Sequence, residues 1–165
     1  MFVFIHLILG LLIGLQFQSI TLIIILALFS HFLLDYLPHW DGWFDKEYFE
    51  RTGFVHITKK DIAVTSFDFI LTILSIFIFW HYAFLTHLGY SKMNVALGAF
   101  MSVFPDLLKI GYLTDLKRMN VYNRYLKLHS KLQKKSDNTN WKIGFIIQAM
   151  FLIAFLLMMI YIMFL

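Results

Sequence analysis

Long apolar runs dominate the chain and are broken by short polar turns and two polar, charged segments. Most of the runs approach the roughly 20 residues a helix needs to cross the hydrocarbon core of a bilayer. The pattern predicts five helices, at about 2–17, 20–37, 62–85, 94–112 and 141–165. The turn at 16–19 is too short for anything but an antiparallel helical hairpin. A further segment, about 115–135, follows another rule. Leu116, Met119, Leu126, His129 and Leu132 recur at three-to-four spacing or its multiples, while Lys117, Arg124, Lys127, Lys131 and Lys134 fall mostly elsewhere. That pattern reads as a basic amphipathic helix lying on a membrane surface, with a solvated charged linker as the alternative. Trp40, Trp43, Phe44, Tyr48 and Phe49 form an aromatic cluster suited to headgroup depth. The expected fold is all-α: one domain, a polytopic membrane helix bundle of about five transmembrane helices plus a cytoplasmic amphipathic helix.

Composition supports this. Hydrophobic residues make up 60% of the chain, against about 45–50% in soluble domains. The first run has neither a basic leading region nor a small-x-small cleavage site, so it is expected to remain as a span. With five spans, the 38–61 loop and the 113–140 segment share the N-terminal side, and of 14 Lys and Arg residues all but Lys92 fall there. The positive-inside rule makes that side cytoplasmic, with the N-terminus in, the C-terminus out, and the protein in the plasma (inner) membrane. Topology accounts for the +4 net charge. No stacking or base-reading pattern accompanies it, so the expected partners are membrane lipids, anionic ones included, and not nucleic acid.

Within these runs a few polar residues stand out, each costly in a bilayer and therefore a functional candidate. His6 shares a helical face with Gly10 and Gly14, whose spacing admits a close neighbour helix. His31 and Asp35 are four apart and stack on one face, the arrangement by which one helix offers two metal ligands. Pro38 ends that helix and leaves His39 and Asp41 at its mouth. Asp61, Thr65, Asp68, Thr72 and Ser75 form a polar stripe on the third span. Asn94, Gly98, Ser102 and Asp106, every fourth residue, form another on the fourth. Pro105 frees a carbonyl there, which lipid tolerates only in a protein-buried or wet setting. His129 lies on the apolar face of the surface helix.

Each residue also has a plain structural reading: His6 as a packing residue, Asp68 paired with Lys109 or Arg124, Asp106 as a helix-end feature, and His81 and His87 as interfacial groups. Taken together, His6, His31, Asp35, Asp68, Asp106 and His129 converge on the cytoplasmic half, and His39 joins the candidate ligands. With no cysteine in the chain, any ion must be held by imidazole and carboxylate.

Ser30-His31-x-x-x-Asp35, His6, Phe104-Pro105-Asp106 and Leu128-His129-Ser130 together resemble the bacterial membrane-bound metal-dependent hydrolases, small multi-pass inner-membrane proteins. Many members place the Pro-Asp element before the His-x-x-x-Asp helix, and Tyr125 stands where a second histidine often precedes the His-Ser element. More remotely, the motif on an all-helical bundle is similar to the zinc-dependent phospholipase C and P1-nuclease class. The resemblance implies a divalent metal, zinc first and manganese, iron or magnesium as alternatives, hydrolysing a lipid-borne phosphate ester at the cytoplasmic leaflet. His31, Asp35, Asp106 and His129 would bind one or two such ions, with His6, His39 and Asp68 completing the shell; Asp68 or Asp41 would serve as general base, and Lys109, Arg124 and Lys127 would hold an anionic headgroup. Two other classes stay open: a cation or proton transporter or channel subunit, and a non-enzymatic membrane protein with a structural metal.

Overall fold

The computed structural model describes residues 1–40, 58–85, 91–110, 119–133 and 141–164, all of them helical apart from short flanking positions. Six helices are described: α1 (Val3–Gln16), α2 (Ile20–Tyr36), α3 (Lys59–Leu85), α4 (Lys92–Ile110), α5 (Asn120–Leu132) and α6 (Trp141–Phe164). Asp41, His56 and His87, and with them most of the aromatic cluster after Trp40, lie outside the described residues.

The bundle is organised around α1. Apolar on every side, this helix is buried from Phe4 to Leu15 except at Leu9, as expected of a helix hydrophobic all round. It packs most extensively on α4 and also touches α2, α3 and α6. Small residues make the α1–α4 crossing possible. A methyl group added at Gly10 would fall on the Ser102 hydroxyl and the Gly98 carbonyl, and one added at Gly14 on the backbone of Asn94 and Val95. The Gly10/Gly14 face and the Asn94/Gly98/Ser102 stripe are thus the two sides of one seam.

Nothing local caps α1, and its free backbone groups are met by other helices. Asp68 on α3 accepts the N–H groups of Val3 (2.9 Å) and Phe4 (3.0 Å), and Gln148 on α6 accepts that of Phe2 (3.1 Å). At the other end Asn94 on α4 donates to the carbonyls of Phe17 and Gln18. The first four N–H and last four C=O groups of any helix need such partners. α2, α3 and α4 look after their own starts: Ser19 accepts from Leu22, Ser91 from Asn94, and Thr58 exchanges bonds with Asp61 in a capping box.

Two helices, α3 and α6, are long and apolar enough to cross a membrane, over Lys59–Phe79 and Trp141–Met158. α1 and α2 are shorter apolar helices, of 14 and 17 residues. α3 turns a stripe of Asp61, Val64, Asp68, Leu71, Thr72, Ser75 and Phe79 inward, so the polar stripe read from the sequence is its packed side; Thr65 alone of that stripe is exposed. The opposite face, with Phe67, Phe69, Ile73 and Phe77, is bare. Trp40, expected in an interfacial loop, is instead buried against Phe2 and Trp141. Its carbonyl accepts from Gln148 at 2.7 Å.

Candidate metal centre

The C-terminal turns of α2 and α4, the N-terminal part of α1 and one face of α5 meet around a single carboxylate, that of Asp35. The i, i+4 spacing on α2 places His31 and Asp35 on the same buried face, both essentially without solvent contact. α5 reaches this place through two tyrosines. Tyr122 donates to the carbonyls of Leu108 (2.8 Å) and Lys109 (3.2 Å), satisfying the end of α4, and Tyr125 donates to the carbonyl of Pro105. One turn beyond Tyr125, His129 then enters the cluster fully buried. The exposed face of α5 carries Arg124, Lys127 and Lys131.

His31, Asp35, Asp106 and His129 form a group that could hold a metal ion. The Nε2 atoms of His31 and His129 are 3.2 Å apart. Asp35 Oδ2 lies 3.5 Å from the first and 3.8 Å from the second. Asp106 Oδ1 lies 4.0 Å and 3.8 Å from the same two nitrogens. Neighbouring ligands on a tetrahedral ion with bonds of about 2.0–2.1 Å stand roughly 3.3 Å apart, so the histidine pair fits and the carboxylates sit a few tenths of an ångström outside.

Hydrogen bonding supports the fit. His31 Nδ1 donates to the Ser102 carbonyl at 2.7 Å, which leaves the Nε2 lone pair of the neutral ring facing the group. This is how ligating imidazoles are commonly oriented. Asp35 Oδ2 is buried and has no hydrogen-bond partner among the described residues, a costly state for a carboxylate oxygen unless a cation meets it. Burial, followed by the nearby Lys109 charge, holds the His129 pKa below the usual imidazole range, favouring the neutral form that binds metals. Burial and the charge of Asp106 raise the Tyr125 phenol above its ordinary value, keeping it a donor. Phe32 closes the cluster with ring contacts to both His31 and His129.

The other candidate residues fall in distinct places. His6 and His39 lie against the second oxygen of Asp35, with Nε2 at 3.2 Å and 3.9 Å from Oδ1, and the Met1 amine donates to the same atom at 2.9 Å. Lys109 is bonded to Asp106 Oδ1 at 2.6 Å. Asp68 has both carboxylate oxygens on the start of α1 and so acts as a helix cap; His81 is exposed on α3. A cavity of about 620 Å³ between α1, α3 and α4 is walled by apolar groups such as Leu7, Phe79, Val103 and Leu107, and none of the four clustered residues lines it. Sequence reasoning passed over Tyr122 as a positioning residue and saw Tyr125 only as a missing histidine. The signal was there, since Tyr125 and His129 are i, i+4 on one face. Gln148, which ties α6 to Phe2 and Trp40, was not among the candidates.

Compared with known proteins, the chain matches no family model, no curated protein and no solved structure. Its chemistry is therefore read from its own atoms.

Proposed function

We propose that the chain is a multi-pass membrane protein, its N-terminus cytoplasmic, that uses His31, Asp35, Asp106 and His129 to hold a divalent metal and hydrolyses a lipid-borne phosphate ester at the cytoplasmic face. The bare apolar faces of α3 and α6 support a lipid environment, because monomeric soluble proteins rarely expose such continuous apolar surface. The observation that carries the metal reading is the buried Oδ2 of Asp35, facing two imidazole nitrogens with no donor on it.

A divalent ion held there supplies Lewis acidity toward a phosphoryl oxygen and acidifies water. The protein's own part is orientation. Ser102 fixes the His31 ring, the two α5 tyrosines set His129, and Phe32 limits water on one side. Asp106 is the least buried of the four and is tethered by Lys109, so it is the ligand best placed to yield a coordination position to substrate. Lys109, with Arg124 and Lys127 on exposed α5, offers positive charge to an anionic headgroup.

One observation favours a second reading. Four protein ligands complete a tetrahedral set, the mark of a structural ion that only ties helices together. Metal analysis of the purified protein, alongside phosphate release from lipid phosphate esters in mixed micelles, separates the two. The hydrolase reading expects bound metal, and turnover that stops with a chelator and returns with zinc or manganese. His31→Ala and Asp35→Ala should each lose the metal and the turnover. Tightly bound metal with no turnover on any such ester would leave the structural ion standing; unchanged metal content in both variants would remove the site.

A further inference from the structure

We infer that Asp35 serves two cation sites, the second formed by its Oδ1 with His6 and His39. This rests on reading His31, Asp35, Asp106 and His129 as a metal centre. An ionised carboxylate offers two oxygens and about four lone-pair sites, and here the two oxygens face different histidines. Oδ2 looks toward His31 and His129, and Oδ1 toward His6 and His39. The rings of His6 and His31 stack with centroids 4.2 Å apart and planes within 28°. Two nearly parallel imidazoles therefore stand side by side, each approaching its own oxygen of Asp35 through Nε2.

His6 is otherwise hard to explain. It is completely buried in an apolar helix; its Nε2 stands at ion-pair distance, 3.2 Å, from Asp35 Oδ1, and its Nδ1 has no hydrogen-bond partner among the described residues. Burying a polar ring without full partners is unfavourable, and a leucine would fill the space without that cost. His39 has the orientation of a ligand: Nδ1 donates to the Leu37 carbonyl at 2.8 Å, leaving Nε2 of the neutral ring as the acceptor facing Asp35. Gln133 Nε2, 3.4 Å from that nitrogen, makes the weak contact an ion would replace. The Met1 amine already lies 2.9 Å from Oδ1, so an ion at this oxygen takes its place. Two ions joined by one carboxylate suit in-line displacement at phosphorus, which narrows the substrate class to phosphate esters.

Manganese(II) titration of the metal-stripped full chain in detergent, read by bound-ion stoichiometry and electron paramagnetic resonance, tests this. Wild type should take two ions per chain and give an exchange-coupled spectrum at saturation. His6→Gln should take one ion and give an uncoupled spectrum, and His39→Gln should weaken the second ion at least tenfold. A wild type that saturates at one ion with an uncoupled spectrum overturns the second site and leaves the first intact. A His6→Gln variant that still binds two coupled ions also overturns it. A wild type binding none removes both sites. The wild-type spectrum decides the question even if a variant does not fold.

Discussion

α1 and α3 are both strongly apolar helices, yet the first is hidden and the second largely bare. Hydrophobicity alone does not separate them. α1 carries Gly10 and Gly14, so α4 can close on its backbone; α3 has no glycine over its 27 residues and presents phenylalanines and isoleucines outward. They also differ in how their ends are satisfied. α3 begins with its own Thr58–Asp61 capping box, while α1 borrows Asp68, Gln148 and Asn94 from three neighbours. A helix with one bare side has few neighbours to supply partners, so its start is capped from within. A central helix can leave that work to its surroundings.

Four substitutions would break or sharpen this contrast. The largest effect is expected at Gly98→Leu, where the new side chain meets the Gly10 backbone and cannot be accommodated by rotamer changes. The loss should exceed the roughly 3 kcal/mol usual for overpacking, seen as a collapse of the thermal transition in detergent and of metal binding together. Next is Asp68→Ala, which leaves the N–H groups of Val3 and Phe4 without their acceptor. It should cost about 1–3 kcal/mol in denaturant unfolding while bound metal stays at the wild-type level. If Asp68 were instead the general base, stability would hold and turnover would vanish. The smallest effects come from a matched pair. Ile5→Val on α1 should cost about 0.5–1.5 kcal/mol, and Ile76→Val on the exposed side of α3 should stay within about 0.5 kcal/mol of wild type. Equal losses at the two positions would erase the distinction between the central helix and the bare one.

Much of the site was legible before the fold was known. The His31/Asp35 spacing, the Asn94/Gly98/Ser102/Asp106 stripe and the Gly10/Gly14 pair each depend on positions three or four apart in one helix, and helical geometry alone brings such residues onto one face. That Asp68 caps the start of α1 was not legible in sequence, for a physical reason. A carboxylate on an apolar helix looks the same in sequence whether it meets a metal, a lysine or the start of another helix. The surface helix was read from its leucines and lysines, although the residues that dock it are Tyr122 and Tyr125, whose role depends on where α4 happens to end.

The order of apolar and polar residues therefore establishes helices, their inward faces and a set of candidate ligands, because these follow from a period of 3.6 residues and the cost of burying polar groups. It does not establish which helix lies at the centre. Nor does it say which oxygen of Asp35 faces which histidine, or that α5 folds back to deliver His129. Those depend on contacts between residues from 13 to 146 positions apart, and such contacts exist only once glycine-sized gaps, borrowed caps and tyrosine bridges have brought the helices together.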